Sequence, residues 1–266
     1  MPAINPARLK QETAELTTHF NAPAQFVFQL EKLLDRYADR VRRPGQTGAP
    51  APLLPAYKVA PPVMRQIMLT LTPLAEANAS ATLALADALW QKNILEMRQI
   101  AIRLLGLLPV DNPTPLLARA HSWATAKEDE HILDAFFRIG LINLQRHHPH
   151  LFLEIVREWM GSSQIELQTL GAKALLPLAQ NPEFDNLPQI FRLLLPRLMD
   201  ARPVLRGHLA AIIHALAERS PLETAHFLNQ VLIVSDNPGL AWITRQVMDL
   251  FPEATQERLK ETIRSR

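Results

Sequence analysis

The stretch PHLFLEIVREWMGSSQIELQTLGAKALLPLAQ, residues 149–180, reads as two helices, 149–160 and 163–180, parted by a short serine-containing break. Pro149 stands at the first position of the first helix, where its missing N–H costs nothing because that donor has no helical acceptor. The same paired pattern continues towards the C-terminus at 187–200, 203–219, 221–234, 238–250 and 252–264, with Pro203, Pro221 and Pro252 again at helix starts. Towards the N-terminus it continues at 62–78, 80–92, 94–108, 113–126 and 128–147. Second helices of successive pairs start near 94, 128, 163, 203 and 238, and no segment alternates as a strand would. Units of about 34 to 47 residues built from helix pairs stack each pair only on its neighbours. The expected fold is therefore all-α, a right-handed α-α superhelix of the HEAT or armadillo-like solenoid kind.

The ends of the array read differently. Residues 6–20 and 23–41 form two further helices, with Phe26, Leu30, Leu33, Leu34 and Tyr37 at helical spacing, and residues 1–43 are expected to cap the array. Residues 44–62 shift to Pro, Gly and Ala, a helix-breaking composition that predicts a loop. The solenoid proper is expected over 63–266.

Composition narrows the function classes. With 266 residues, 48% of them hydrophobic, the chain can bury a sizeable core. It has no cysteine, which removes disulfides, thiolate zinc sites and a cysteine nucleophile and fits a reducing compartment. The start of the chain carries Lys10, Glu12 and Glu15 instead of an apolar leader, and no run has the length of a membrane span, so a cytoplasmic protein with no membrane partner is expected. Eight glycines form neither GxGxxG nor a Walker loop, which argues against kinase and dehydrogenase chemistry, and no cofactor is implied. His147, His148 and His150 are the single histidine cluster; lacking a carboxylate at ligand spacing, they read as a solvated turn and no metal is expected.

Net charge is only +2, so any attraction for a polyanion must come from placement. Basic residues crowd at Arg36, Arg40, Arg42 and Arg43 and again at Arg192, Arg197, Arg202 and Arg206. Arg103, Arg138, Lys173, Arg206 and Arg245 recur at intervals of 35, 35, 33 and 39 residues, each on the polar side of an expected helix. Held in register from repeat to repeat, they would form a stripe suited to duplex DNA. The alternative is a set of ordinary solvated cations or an internal ladder between repeats.

The helix expected over 128–147 carries one apolar stripe, Ile132, Leu133, Phe136, Phe137, Gly140, Leu141 and Leu144, leaving Glu130, Asp134, Arg138 and Gln145 on the polar side. Asp134 and Arg138, one turn apart, are either a surface ion pair contributing about 0.3–0.5 kcal/mol or a carboxylate held by its neighbouring cation on the concave face.

Several stretches resemble the DNA alkylation repair family of HEAT-like DNA glycosylases: VAPPVMRQI at 59–67, LADALWQKNILEMRQIAIRLL at 85–105, LDAFFRIGLI from 133, HHPHLFLEIVREWMGSSQIELQ up to 168, and the helix end near 218. The family's Pro-x-x-Arg turn is matched by Pro62 and Arg65, and its Trp, Glu and Arg by Trp90, Glu96 and Arg98. The resemblance implies a concave DNA-binding cleft in which a carboxylate, an arginine and two tryptophans act on alkylated purines. Counting back from His148 and Pro149 places Asp134 at the carboxylate. Glu130 falls where the first tryptophan is expected, Thr169 where the arginine is, and Ala211 near the second tryptophan. Trp123 is the candidate replacement ring, if the loop between 123 and 130 folds back; the alternative is a tryptophan packed between helices.

Asp134 would stabilise the positive charge that develops on the sugar as the glycosidic bond breaks. The resemblance thus implies a DNA-binding repair protein with a depleted glycosylase site. The competing expectation is a non-catalytic scaffold that holds a protein partner in its concave groove.

Overall fold

A computed structural model describes residues 4–40 and 54–265. Most of the expected 44–62 loop, and Arg42 and Arg43 of the first basic cluster, lie outside the described residues. The described residues form α-helices and no strand. The helices are α1 Pro6–Thr17, α2 Pro23–Arg36, α3 Pro61–Ala77, α4 Ala79–Trp90, α5 Leu95–Leu105, α6 Thr114–Trp123, α7 Glu130–Ala135 and α8 Ile142–His147. They continue as α9 Pro149–Gly161, α10 Ile165–Gln180, α11 Leu187–Asp200, α12 Pro203–Arg219, α13 Pro221–Val234, α14 Pro238–Gln246 and α15 Glu253–Arg264.

The punctuation read in the sequence explains these boundaries. Pro149, Pro203 and Pro221 open their helices, and Pro252 sits one position earlier, as the N-cap of α15. Short polar side chains satisfy further orphan N–H groups, both beside a first-turn proline and where there is none. Asn5 accepts from Ala7 and Arg8, Asn78 from Ala81, and Asp129 from His131 and Ile132. Asn237 works in both directions: it caps Gly239 at the start of α14 while its amide donates to the Met199 and Asp200 carbonyls at the end of α11.

The helices gather into two compact units, one of the described residues up to Ala120 with Lys127–His147, the other of His121–Ala126 with the residues from His148 onward. In the first, α1 packs on α3, α3 on α5, and α5 on α7, while α2 packs on α4. In the second, α10 packs on α12 and α12 on α14, while α11 packs on α13 and α13 on α15. In each of these pairs a helix stacks on the helix two places along, the packing that helix-pair repeats require. Second helices begin at Leu95, Glu130, Ile165, Pro203 and Pro238, within two residues of the starts read from the sequence.

Helix α2 stops at Arg36, short of the expected residue 41, because the backbone there turns to another partner: Asp39 N–H donates to Tyr57 O at 3.1 Å. The segment before α3 is pinned by a buried carboxylate. Glu96, in the first turn of α5, accepts from Tyr57 N–H at 3.1 Å and Lys58 N–H at 2.6 Å, and Lys58 takes a left-handed conformation, φ 56°, to present that N–H. Successive N–H groups converging in this way make an anion-binding nest, here filled by the protein's own side chain.

Candidate functional site

The expected continuous helix over 128–147 is interrupted. Between α7 and α8, Phe136–Gly140 forms a π segment, marked by Leu141 N–H reaching back five residues to Phe136 O at 3.0 Å. Its apolar stripe is buried as expected. Gln145 corrects the expectation of a polar-side residue, since it is 3% exposed. The extra residue in the bulge advances everything after it by about 100° around the axis, turning Gln145 inward. There its amide donates to Phe137 O, the carbonyl that lost its helical donor to the bulge.

The packing of α5 explains the bulge's position. A Cβ on Gly106 would lie 2.4 Å from Ile139 O, so only glycine lets the π segment approach this closely. Asn143, just past the bulge, donates to Gly106 O and Leu108 O, both at 2.9 Å, and so satisfies carbonyls at the end of α5.

The entry to α7 is fixed from the same helix. Arg98 on α5 forms an ion pair with Glu128, donates to Asn93 at 2.7 Å and stacks its guanidinium 4.6 Å from the Trp90 ring centroid. Trp90 in turn lies against Phe136 of the π segment, with ring centroids 6.0 Å apart. The residues matching the family's Trp-Glu-Arg pattern therefore act locally as supports: Glu96 holds the segment before α3, while Trp90 and Arg98 brace the start and middle of the Asp134 helix.

Asp134 occupies the last turn of α7 and Arg138 the π segment. Arg138 Nε donates to Asp134 Oδ1 at 2.6 Å, with the carboxylate 54% and the guanidinium 38% exposed. The pair faces solvent, where mutual attraction is screened. What the geometry supplies is orientation: one carboxylate oxygen is engaged and the group stays open to a ligand.

The five periodic cations have different surroundings. Arg103 and Arg245 are exposed, with no ion-pair or hydrogen-bond partner among the described residues. Arg138 is tied to Asp134. Arg206 is half-buried, and its Nε donates to Ala201 O at 2.8 Å, which caps the left-handed turn after α11. Lys173 is half-buried on α10. Arg103 and Arg138 belong to the first unit, the other three to the second.

Trp123 is 5% exposed within the second unit. Thr169 turns its hydroxyl to Ile165 O at 2.9 Å, and Ala211 is half-buried on α12. The solvent-facing tryptophan that the sequence reading passed over is Trp242, 41% exposed on α14. The available signal was its spacing: three residues before Arg245, it shares that cation's side of the helix. His148 and His150 meet edge to face, 6.2 Å between centroids, and among the described residues no group of three His, Asp or Glu side chains is placed to hold a metal ion. No described helix is long and apolar enough to cross a membrane.

No curated protein matches the chain. The family model for the DNA alkylation repair enzyme matches residues 31–247, from within α2 to the end of α14, a span that includes Asp134 and all five cations. With helix pairs stacked as that HEAT-like architecture requires and a match covering most of its length, this chain belongs to the DNA alkylation repair enzyme family.

Proposed function

We infer that the protein binds duplex DNA and that Asp134 supports a slow excision of cationic alkylated purines. The observation that carries the chemical half is the Asp134 carboxylate, open to solvent on a braced helix with one oxygen engaged by Arg138. In the reaction the C1′–N bond breaks and its electron pair leaves with the base, which departs neutral because the lesion was cationic. A water oxygen then bonds to C1′ and gives up its proton to Asp134. The carboxylate acts first on the positive charge developing on the sugar, where one well-placed group supplies about 2.7–4 kcal/mol.

Slowness follows from the positions where the family's other groups are replaced. Glu130, Thr169 and Ala211 offer neither an aromatic face nor a guanidinium. Each lost cation–π contact is worth about 0.5–2 kcal/mol, so two together cost roughly fivefold to a thousandfold in rate. Those replacements also favour a second reading, a DNA-binding relative without chemistry.

Duplex carrying a cationic alkylpurine, incubated in excess protein, tests both readings. Base release above the spontaneous rate supports the first. Binding without release leaves the second, and no duplex binding at low salt removes both in favour of a protein scaffold.

A further inference from the structure

In the second unit, α9 and α11 pack side by side and leave a cleft of about 260 Å³. Arg157, Arg192 and Arg197 line it, and Leu193 and Pro196 supply apolar surface between them, with Met160 buried at its base. None of the three arginines has an ion-pair or hydrogen-bond partner among the described residues. Arg8, Arg36, Arg40, Arg98, Arg119, Arg138 and Arg202 all engage carboxylates, whereas the three arginines of this cleft do not. Glu154 and Glu158 share α9 with Arg157, yet neither pairs with it. Three guanidinium groups converging on one cleft repel one another, and an anion relieves that repulsion while gaining bidentate hydrogen bonds.

We propose that the α9–α11 cleft is a docking site for an acidic peptide segment of a partner protein, one that inserts an apolar side chain between flanking carboxylates. The apolar floor decides between anions. A phosphodiester gains nothing from Leu193 and Pro196, whereas a leucine or phenylalanine flanked by Asp or Glu uses floor and rim together. Size agrees: the cleft is smaller than the roughly 300 Å³ at which small-molecule pockets begin, and suits a single anchoring side chain. Its helices also belong to a different layer of this unit from α10, α12 and α14, which carry Lys173, Arg206 and Arg245. A peptide seated here would leave those cations uncovered.

The test uses the full chain and an array of acetylated pentapeptides with four Asp or Glu residues around a central Leu, Phe or Ser, followed by fluorescence anisotropy on the tightest member. Saturable binding is expected for the Leu and Phe peptides, weaker by about tenfold or more for Ser. Arg192→Glu and Arg157→Glu should each weaken it by a further tenfold or more, while affinity for a 20-base-pair duplex changes less than twofold. Circular dichroism melting confirms that the variants fold, and the Leu-to-Ser change in the peptide probes the floor without altering the protein. The proposal is overturned if no peptide binds saturably, if Ser equals Leu, or if binding ignores the arginine variants. It is equally overturned if the variants lose duplex affinity instead, which would assign the cleft to nucleic acid.

Discussion

Gln145 donates its side-chain amide to the carbonyl of Phe137, eight residues earlier on the same broken helix. The bond is a consequence of the π segment, which takes Leu141 N–H away from Phe137 and leaves a buried acceptor to be satisfied. Gln145→Leu keeps the volume and removes the donor, so it is expected to cost about 1–3 kcal/mol by urea denaturation. Gln145→Glu should be worse, because a carboxylate facing a carbonyl adds charge without a donor. Wild-type stability for both would show that the amide does not hold the bulge.

Gly106 faces the same bulge from the C-terminal cap of α5. A methyl group there would meet the backbone carbonyl of Ile139 at 2.4 Å, and a backbone atom cannot swing aside as a side chain can. Gly106→Ala should destabilise by about 1–3 kcal/mol, the usual range for overpacking. That sign opposes the gain of roughly 0.5–1 kcal/mol normally expected from Gly→Ala in a helix.

These two residues mark where the sequence stopped being legible. Helix starts could be read because proline, asparagine and aspartate act through local backbone chemistry, visible within four residues. The π segment has no such local cause: it depends on how closely α5 approaches, a contact between residues more than thirty positions apart. Gln145 was therefore assigned to the wrong side by a rule that assumes unbroken 3.6-residue periodicity. The cation spacing was legible for the same reason as the helices, but partners were not, since Ala201 O becomes available to Arg206 only where the chain turns left-handed after α11. Asp134 is matched to the carboxylate position only through the family resemblance, and its exposure depended on folding.

Acid should weaken the first unit through Glu12. Burial pushes this carboxyl upward, but hydrogen bonds from Tyr37, at 2.8 Å, and from Arg8 and Arg36 outweigh it and hold the group below its ordinary range. A depressed folded value means that the stabilisation is fully present above the unfolded carboxylate range and is lost as pH falls through the folded one. Glu12→Gln should lower Tm at neutral pH, where hydrogen bonds to a charged group contribute about 1.5–3 kcal/mol. It should also flatten the loss of Tm below about pH 4.5. An unchanged acid limb would place the pH dependence elsewhere.

The five cations make unequal predictions for duplex DNA. Each phosphate neutralised contributes about −0.9 to the slope of log affinity against log salt, so all five would give about −4.5. Arg103 and Arg245 are exposed and uncommitted, and replacing either with Ala should reduce the slope by about one unit. Arg206→Ala should change the slope less and Tm more, because its guanidinium already caps the Ala201 carbonyl. Equal slopes for wild type and the Arg103→Ala, Arg245→Ala double variant would remove these two residues from the interface.

Asp134 allows stability and chemistry to be separated at one position. As half of an exposed pair spaced i,i+4, it contributes about 0.3–0.5 kcal/mol to folding, so Asp134→Asn should leave Tm nearly unchanged. The amide keeps the shape and can still meet Arg138, but it carries no charge to set against the sugar cation and cannot take the proton from water. If the carboxylate performs those two tasks, excision of a cationic alkylpurine should fall by about 100- to 1000-fold while duplex affinity holds or rises slightly, since one negative charge has been removed from the exposed surface. Arg138→Gln gives the complementary case: the carboxylate remains but loses its 2.6 Å partner, so excision should fall by less than in Asp134→Asn. The double variant should be no slower than Asp134→Asn alone, because orienting a group that is gone has no further effect. An Asp134→Asn protein releasing base at the wild-type rate would leave this pair as a solvated helix contact and the protein as a DNA binder without this chemistry.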